Sequence, residues 1–100
     1  MKVVINRSVG SRFSMSPTGF NRLVELKGPI GDDKRPLEQS NFLHNLPRND
    51  KDLVQVVEEL GMAASADDAE LTVVEIPDTA KWSISDVVGF EYVKVNGNIF

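Results

Sequence analysis

The chain has 100 residues, of which 41% are hydrophobic, and its formal net charge is −4. This length is typical of one small domain, residues 1–100, and leaves no room for a second domain. The absence of cysteine excludes disulfides and thiolate metal sites and favours a reducing intracellular setting. Because no apolar run is long enough for a signal peptide or a membrane span, we expect a soluble protein that does not bind membranes.

Charge is distributed unevenly along the sequence. Residues 1–48 contain eight basic and four acidic side chains, whereas residues 49–100 contain three basic and eleven acidic ones. Such asymmetry can create a positive and a negative face that steer a partner. In a small α/β chain, however, we expect the two halves to cross the same sheet and to interleave.

The first half predicts one strand, one helix and a long loop. Residues 3–5 form a β-branched apolar run that is typical of a buried strand. Ser16 can cap a helix whose first residue is a proline and which ends at Gly28. Residues 29–48 hold three of the five prolines and are predicted to be mostly loop, with a short edge strand around residues 42–43.

The second half begins with a predicted helix. Four apolar residues recur at the helical spacing i, i+3, i+4 and i+7: Leu53, Val56, Val57 and Leu60. Asn49 or Asp50 can cap this helix. Either Gly61 ends it, or residues 62–64 add one more turn.

Three strands are predicted after this helix. Residues 71–76 are rich in β-branched side chains and end before Pro77. Apolar and polar residues alternate in residues 81–85 and 90–95, which indicates a hairpin with Gly89 near its turn. The sequence VNGN that follows is suited to one last turn.

The order of elements is therefore strand, helix, loop, helix and three strands. It predicts an α/β (α+β) fold, with a small mixed sheet of three to five strands and two helices packed on one face. We expect the strand at residues 3–5 to lie beside the strand at residues 71–76, buried by both helices.

Residues 3–20, VVINRSVGSRFSMSPTGF, have the order of a nucleotide-binding loop: strand, loop and helix start. The loop has one glycine and lacks both the Walker pattern and the G-x-G-x-x-G pattern. The alternative that remains is a small-molecule or nucleotide module, in which guanidinium groups and the helix start hold an anion. The residues of this alternative ligand site are Arg7, Ser8, Arg12, Ser14 and Ser16.

No catalytic, metal or cofactor site is predicted. His44 is the one histidine and has no carboxylate near it in sequence, so we interpret it as a surface residue of a loop. No serine lies in a G-x-S-x-G elbow, and we expect no enzymatic activity.

Two further features have weaker functional interpretations. Asp67, Asp68 and Glu70 offer oxygen ligands, but their spacing does not match a calcium loop, and a solvated connector is favoured. A stacking platform for a base is one interpretation of Trp82 and Tyr92. The acidic surroundings disfavour direct nucleic-acid binding, so packing within the hairpin is the favoured use of both rings.

Five segments carry a resemblance over most of the chain: KVVIN (2–6), SMSP (14–17), DKDLVQVVEELG (50–61), LTVVEIPD (71–78), and residues 82–84 followed by Gly89-x-Glu91. Together they resemble a widespread group of small proteins encoded by tailed bacteriophages. The matched positions are helix caps, a core stripe and a buried strand. The resemblance therefore implies the fold and a location in the bacterial host cytoplasm, and it contains no catalytic motif.

Small acidic phage proteins without catalytic residues often act by binding. The resemblance thus implies an accessory protein that binds and inhibits a bacterial host or defence complex, as anti-CRISPR and other anti-defence inhibitors do. An acidic surface suits this role because folded carboxylates can occupy sites meant for phosphates. The residues assigned to the partner contact are Glu58, Glu59, Asp67, Asp68 and Glu70.

The end of the chain also predicts a homodimer. Ile99 and Phe100 must either fold onto the core or remain free for a second copy, because exposed apolar side chains forgo stabilisation. If the strand FEYVKV lies at a sheet edge, its unpaired backbone groups can be satisfied across a two-fold axis.

Overall fold

The computed structural model describes residues 1–28, 43 and 45–99. The elements within these residues are β1 (Lys2–Asn6), α1 (Pro17–Lys27), α2 (Lys51–Leu60), a 3-10 turn (Gly61–Ala64), β2 (Leu71–Glu75), β3 (Trp82–Val87), β4 (Phe90–Val95) and β5 (Asn98–Ile99). The predicted α+β class is confirmed, with two helices and five strands in the described part of the chain. The predictions for Phe42, His44 and Phe100 fall outside the described residues. Leu43 is described and has helical backbone, so the predicted edge strand around residues 42–43 is wrong at this residue.

The strands form two antiparallel sheets, one of β1 and β2 and the other in the order β3-β4-β5. β1 pairs with β2 from Lys2 opposite Glu75 to Asn6 opposite Leu71, so the predicted neighbours are confirmed. The strands do not join into the single mixed sheet that the sequence suggested.

The second edge of β1 explains why the two sheets stay separate. The backbone N–H of Val4 donates to the Arg48 carbonyl at 2.8 Å, and the N–H of Asn6 donates to Glu91 Oε1 at 2.6 Å. Because these bonds occupy the edge of β1, β4 cannot add to it as a ladder strand.

β1 lies in the middle of the molecule, between the helices and the three-stranded sheet. On one face, a cluster with the helices contains Val4, Leu23, Leu53, Val56 and Leu71. On the other face, a cluster with the hairpin contains Val3, Ile5, Ile76, Val93 and Val95. Burial on both faces explains why the apolar run of β1 is continuous rather than alternating.

The start of α1 follows the sequence prediction. Ser16 Oγ accepts a hydrogen bond from the N–H of Gly19 at 3.0 Å, which satisfies one of the free donors of the first turn. Gly19 also permits close packing, because a Cβ at this position would lie 2.8 Å from the carbonyl oxygen of Ala64. The helix therefore abuts the 3-10 turn, which begins at Gly61, immediately after α2 ends at Leu60.

The start of α2 is fixed by Asp50. Its Oδ1 accepts the N–H groups of Asp52 and Leu53, both at 3.0 Å. Lys27, in the last turn of α1, donates to Asp50 Oδ2 at 2.7 Å and to Asp52 Oδ2 at 3.2 Å. The cap of one helix is thus joined to the end of the other, where a cation also complements the helix dipole of α1.

These contacts shift the pKa values of the pair in opposite directions. Burial raises the pKa of Asp50, but the hydrogen bonds from Lys27 and the backbone outweigh it, so the pKa lies below its usual 3.8. Burial lowers the pKa of Lys27, but the hydrogen bonds to Asp50 and Asp52 raise it above its usual 10.5. Both groups are therefore charged in the folded protein at neutral pH.

Two substitutions of Asp50 separate the contribution of its helix-capping oxygen from that of its negative charge. Asp50→Ala removes both and should lower the free energy of unfolding at pH 7 by about 1–2 kcal/mol. Asp50→Asn keeps the oxygen that caps the helix and should lower the free energy of unfolding by less. Because the pKa of Asp50 is lower in the folded than in the unfolded protein, its charge stabilises the folded state at pH values above the unfolded pKa. This stabilisation is lost as the pH falls through the folded-state pKa. Urea unfolding from pH 7 down to about pH 2.5 gives the free energy of unfolding of the wild type and of Asp50→Asn, and the two values should converge as the pH falls. A constant difference between them over this range would contradict the prediction.

The hairpin of β3 and β4 is confirmed, with Val88 and Gly89 in its two-residue turn. A second turn, Asn96 and Gly97, joins β4 to β5. The two turns have almost the same backbone, with φ of 50° and 89° in the first and 51° and 88° in the second. Positive φ at both residues is the type I′ pattern, which favours Asn-Gly, whereas a β-branched residue such as Val88 is strained there by about 1–2 kcal/mol.

Replacing the strained residue should stabilise the protein. We expect Val88→Asn to raise the free energy of unfolding by about 1 kcal/mol, because Asn tolerates the left-handed conformation. The matched change Asn96→Val should lower it by at least as much, since Asn96 Oδ1 also accepts the N–H of Lys81 at 3.2 Å. Thermal and urea unfolding of both variants give the comparison. Destabilisation by Val88→Asn would show that the turn is not strained.

The strand FEYVKV is paired on both sides at its C-terminal end, which corrects the sequence-based argument for a dimer. The Asn96-Gly97 turn folds the chain back, so that Ile99 lies opposite Lys94 and Asn98 opposite Val95. β4 therefore lies between β3 and β5, and β3 is at the edge. Ile99 is 73% exposed and does not pack on the core.

Candidate functional site

A buried amide side chain lies where β1 ends. Asn6 is fully buried, and its Nδ2 donates to Ser11 Oγ at 3.0 Å and to the Gly89 carbonyl at 3.4 Å. Its Oδ1 accepts the N–H of Glu70 at 2.9 Å and that of Ser8 at 3.3 Å. Two donors and two acceptor positions are the full capacity of an amide, so the side chain of Asn6 has no unsatisfied polar group.

These bonds hold three surface segments together. We call residues 7–11, 67–70 and 86–89 the three-loop end. Further contacts join the segments directly: Ser8 Oγ donates to the Asp68 carbonyl at 2.8 Å, and the Gly10 N–H donates to the Val88 carbonyl at 2.6 Å. Gly89 approaches so closely that a Cβ there would lie 2.1 Å from the Ser11 carbonyl oxygen, so only glycine fits this position.

An ion pair supports the base of the three-loop end. Arg48 donates to both oxygens of Glu91, at 2.7 and 2.9 Å. The pair is largely shielded, with side chains 22% and 13% exposed, and the guanidinium lies 3.7 Å from the centre of the Phe13 ring. A two-pronged pair of this kind fixes geometry as well as charge. Because Glu91 also accepts the N–H of Asn6, the pair and the amide form one network.

Three valines of the three-loop end face solvent. Val9 and Val88 are each 70% exposed and Val87 is 60% exposed. The hydrogen bond between the Gly10 N–H and the Val88 carbonyl brings their two segments side by side. We call these three exposed valines on adjacent segments the valine patch, and adjacent exposed apolar groups are typical of contact surfaces.

Carboxylates accompany the valine patch. Asp67, Asp68, Glu70 and Asp86 are all exposed. Asp86 Oδ2 accepts the N–H of Gly89 at 3.2 Å, whereas the other three carboxylates have no ion pair within the described part of the chain. The surface thus combines an apolar patch with unneutralised negative charge.

Glu58 and Glu59, also predicted to contact a partner, lie elsewhere and are engaged within the molecule. Glu58 accepts a hydrogen bond from Lys2 Nζ at 2.7 Å. Arg22 donates to both oxygens of Glu59, at 3.0 and 3.2 Å, and this bonding lowers the pKa of Glu59 to about 2. Both carboxylates therefore have an intramolecular counter-charge, which Asp67, Asp68 and Glu70 lack among the described residues.

The hydroxyl groups of the alternative ligand site already bond to the backbone. Ser8 donates to Asp68, Ser14 donates to the Arg12 carbonyl at 3.2 Å, and Ser16 both caps α1 and donates to the Ala63 carbonyl. They are directed at different segments of the chain. No convergent set of free hydroxyls is therefore found among these three serines.

The two arginines of that site have different surroundings. The Arg7 guanidinium lies 5.9 Å from the centre of the Phe90 ring, and its Nε is buried without a hydrogen-bond partner among the residues described. Arg12 is exposed. Stacking on an aromatic ring accommodates the cation of Arg7 without a bound anion.

Several other sequence-based interpretations have a structural outcome. Trp82 lies opposite Val95 and faces the core, whereas Tyr92 lies opposite Ser85 on the other face of the hairpin. The two rings cannot form one stacking platform. Within the described residues, no group of three carboxylate, histidine or cysteine side chains is placed to hold a metal ion.

The sequence reading missed Asn6, Arg48, Glu91 and Val88. Asn6 had a detectable signal, since it is a polar residue directly after a run of buried β-branched residues. Val88 also had one, because a β-branched residue precedes glycine at a predicted hairpin turn. The ion pair had none, because its partners are 43 residues apart.

No helix in the described ranges has the length and apolar character needed to cross a bilayer. Comparisons with protein-family models, with curated proteins and with solved structures give no match to this chain.

Removing the Asn6 side chain should loosen the three-loop end. We expect Asn6→Ala to lower the free energy of unfolding by about 2–4 kcal/mol, because it leaves buried backbone N–H groups without acceptors. Ser11→Ala, which removes one of the four bonds, should cost about 1 kcal/mol. Hydrogen exchange should show lost protection at the Glu70 amide in the first variant alone. Equal effects of the two variants would contradict a central role for Asn6.

Proposed function

We propose that this protein acts by binding another protein through its acidic surface, with Asp67, Asp68 and Glu70 as the contacting carboxylates. The observation that supports this is the valine patch beside carboxylates that form no ion pair with any described residue. Protein interfaces commonly combine an apolar centre with a polar rim. Of the sequence-predicted residues, Glu58 and Glu59 are less suited, because Lys2 and Arg22 already bind them.

The chemistry of the surface defines the expected partner. An acidic rim favours a basic protein surface, because opposite charges accelerate encounter and exclude partners of the same sign. The exposed Val88 adds support, since its backbone strain is not offset by burial within this chain. Strain of about 1–3 kcal/mol at an exposed position is a recognised basis for a hypothesis of function.

The bacterial setting of the proposal comes from the resemblance to tailed-phage proteins. On that basis the partner is a host or defence complex in the bacterial cytoplasm, and binding inhibits it by covering a groove meant for nucleic acid. Nothing specific in the loop around Arg12 favours the nucleotide-binding alternative, because the serine hydroxyls there are bonded to the backbone.

A matched pair of charge reversals tests the proposal. Immobilised wild-type protein identifies the bacterial partner, and the purified partner is then measured with Asp68→Lys and Glu75→Lys. Both residues are exposed and both changes alter net charge equally, but Glu75 is at the far end of β2, opposite Lys2. Asp68→Lys should slow association by about 3- to 10-fold at low salt, and less at high salt. Glu75→Lys should behave nearly as wild type.

Two results would count against the proposal. If both reversals slow association equally, the effect is one of overall charge rather than of the three-loop end. If no bacterial protein is retained by the wild-type chain, the proposed partner class is wrong.

A further inference from the structure

The outer edge of β3 has backbone groups that point away from its own sheet. Val87 and Phe90 flank a two-residue turn, so they form a hydrogen-bonded pair. Hydrogen-bonded and non-hydrogen-bonded pairs alternate along an antiparallel ladder. The bond from the Asn96 N–H to the Lys81 carbonyl at 2.8 Å agrees with this alternation, because Lys81 is an even number of residues from Val87. The residues whose N–H and C=O groups face outward are therefore Trp82, Ile84 and Asp86.

These outward groups have no partner in the described part of the chain. No hydrogen bond from any described residue reaches the backbone of Trp82, Ile84 or Asp86 on that side. The strand is six residues long. A strand edge of this length is a template for pairing with another chain.

Two other strand edges in the described part of the chain, the second edge of β1 and one end of β4, are covered, unlike the outer edge of β3. Arg48 and Glu91 cover the second edge of β1, and β5 covers part of β4. Proteins also protect edges with proline, with lysine or with bulges. Residues 82–87 contain neither proline nor lysine, and Asp86 near the turn is their one charged residue. The pairing of β3 with β4 runs without a bulge.

We propose that β3 pairs antiparallel with β3 of a second copy of this chain, around a two-fold axis at Ile84. Only this register uses all three outward residues of both copies. It sets Ile84 opposite Ile84 of the second copy, and Trp82 opposite Asp86 of the second copy. Each of these pairs exchanges two hydrogen bonds, and the two sheets become one continuous sheet.

The side chains of β3 are compatible with pairing to β3 of a second copy. Antiparallel self-pairing places the two Asp86 carboxylates opposite Trp82 rings rather than opposite each other, so no like charges meet. It places Ser83 opposite Ser85 of the second copy, and paired hydroxyls are favourable across strands. A two-fold contact requires this kind of self-complementarity, which an unrelated partner strand would not need.

The absence of cysteine from the chain permits a register-specific test. Ser83→Cys and Ser85→Cys are prepared separately, mixed and mildly oxidised. In the proposed register these positions form a non-hydrogen-bonded pair with Cα atoms about 4.5 Å apart, within disulfide range. The mixture should give a cross-linked species of twice the 11.1 kDa chain mass, and each variant alone should give several-fold less.

The control replaces one partner by a residue on the same face but one strand further from the edge. Lys94 is opposite Ser83 in β4, so Lys94→Cys mixed with Ser85→Cys should cross-link several-fold less than the Ser83 and Ser85 mixture. Equal cross-linking in the two mixtures would overturn the register.

Light scattering tests the dimer without cysteines. The mass of the unaltered protein should rise with concentration from 11.1 kDa towards twice that value. Asp86→Pro removes an outward N–H while leaving the bonds to β4 intact, so it should weaken association by about tenfold or more with an unchanged circular dichroism spectrum. A constant monomer mass, or an Asp86→Pro variant that associates as the wild type does, would overturn the proposal.

Discussion

The hydrogen bonds of the buried Asn6 side chain are the constraint on which the three-loop end depends. β1 is enclosed by apolar clusters on both faces, and such a strand needs a polar ending where loops begin. Asn6 supplies it by satisfying backbone groups from the segments before β2 and after β3. Glu91 and Arg48 then hold the free edge of the same strand. A single strand therefore connects the two cores to the exposed surface.

This arrangement makes the conformation of the Val88 turn a consequence of its surroundings. The Val88 carbonyl accepts a bond from Gly10 in the first loop, and the Gly89 carbonyl accepts one from Asn6 at the end of β1. Gly89 also has no space for a side chain beside Ser11. The turn must keep its type I′ shape, although Val88 does not favour it. The Asn96-Gly97 turn has the same shape without comparable strain. Backbone strain and apolar exposure thus coincide at one residue.

Local features of the fold could be predicted from sequence, whereas contacts between distant segments could not. The caps at Ser16 and Asp50 and the hairpin turn at Gly89 depend on neighbours within a few residues. The bonds of Asn6 to Glu70 and Gly89 join residues 64 and 83 positions apart. For the same reason, the sequence could identify acidic residues but not tell neutralised ones from free ones. Glu58 is paired with Lys2, which lies 56 positions away.

The proposed dimer and the proposed binding surface constrain each other geometrically. With the two-fold axis at Ile84, the turn at Val88 lies about four residues from the axis in each copy. The two three-loop ends would then be about 25 Å apart, at opposite ends of the combined sheet. They could not both contact one small basic patch. A dimer would instead favour a partner with repeated or extended basic sites, for which two linked contacts increase affinity without any new interaction. A monomer would need all of its affinity from one valine patch and its carboxylates.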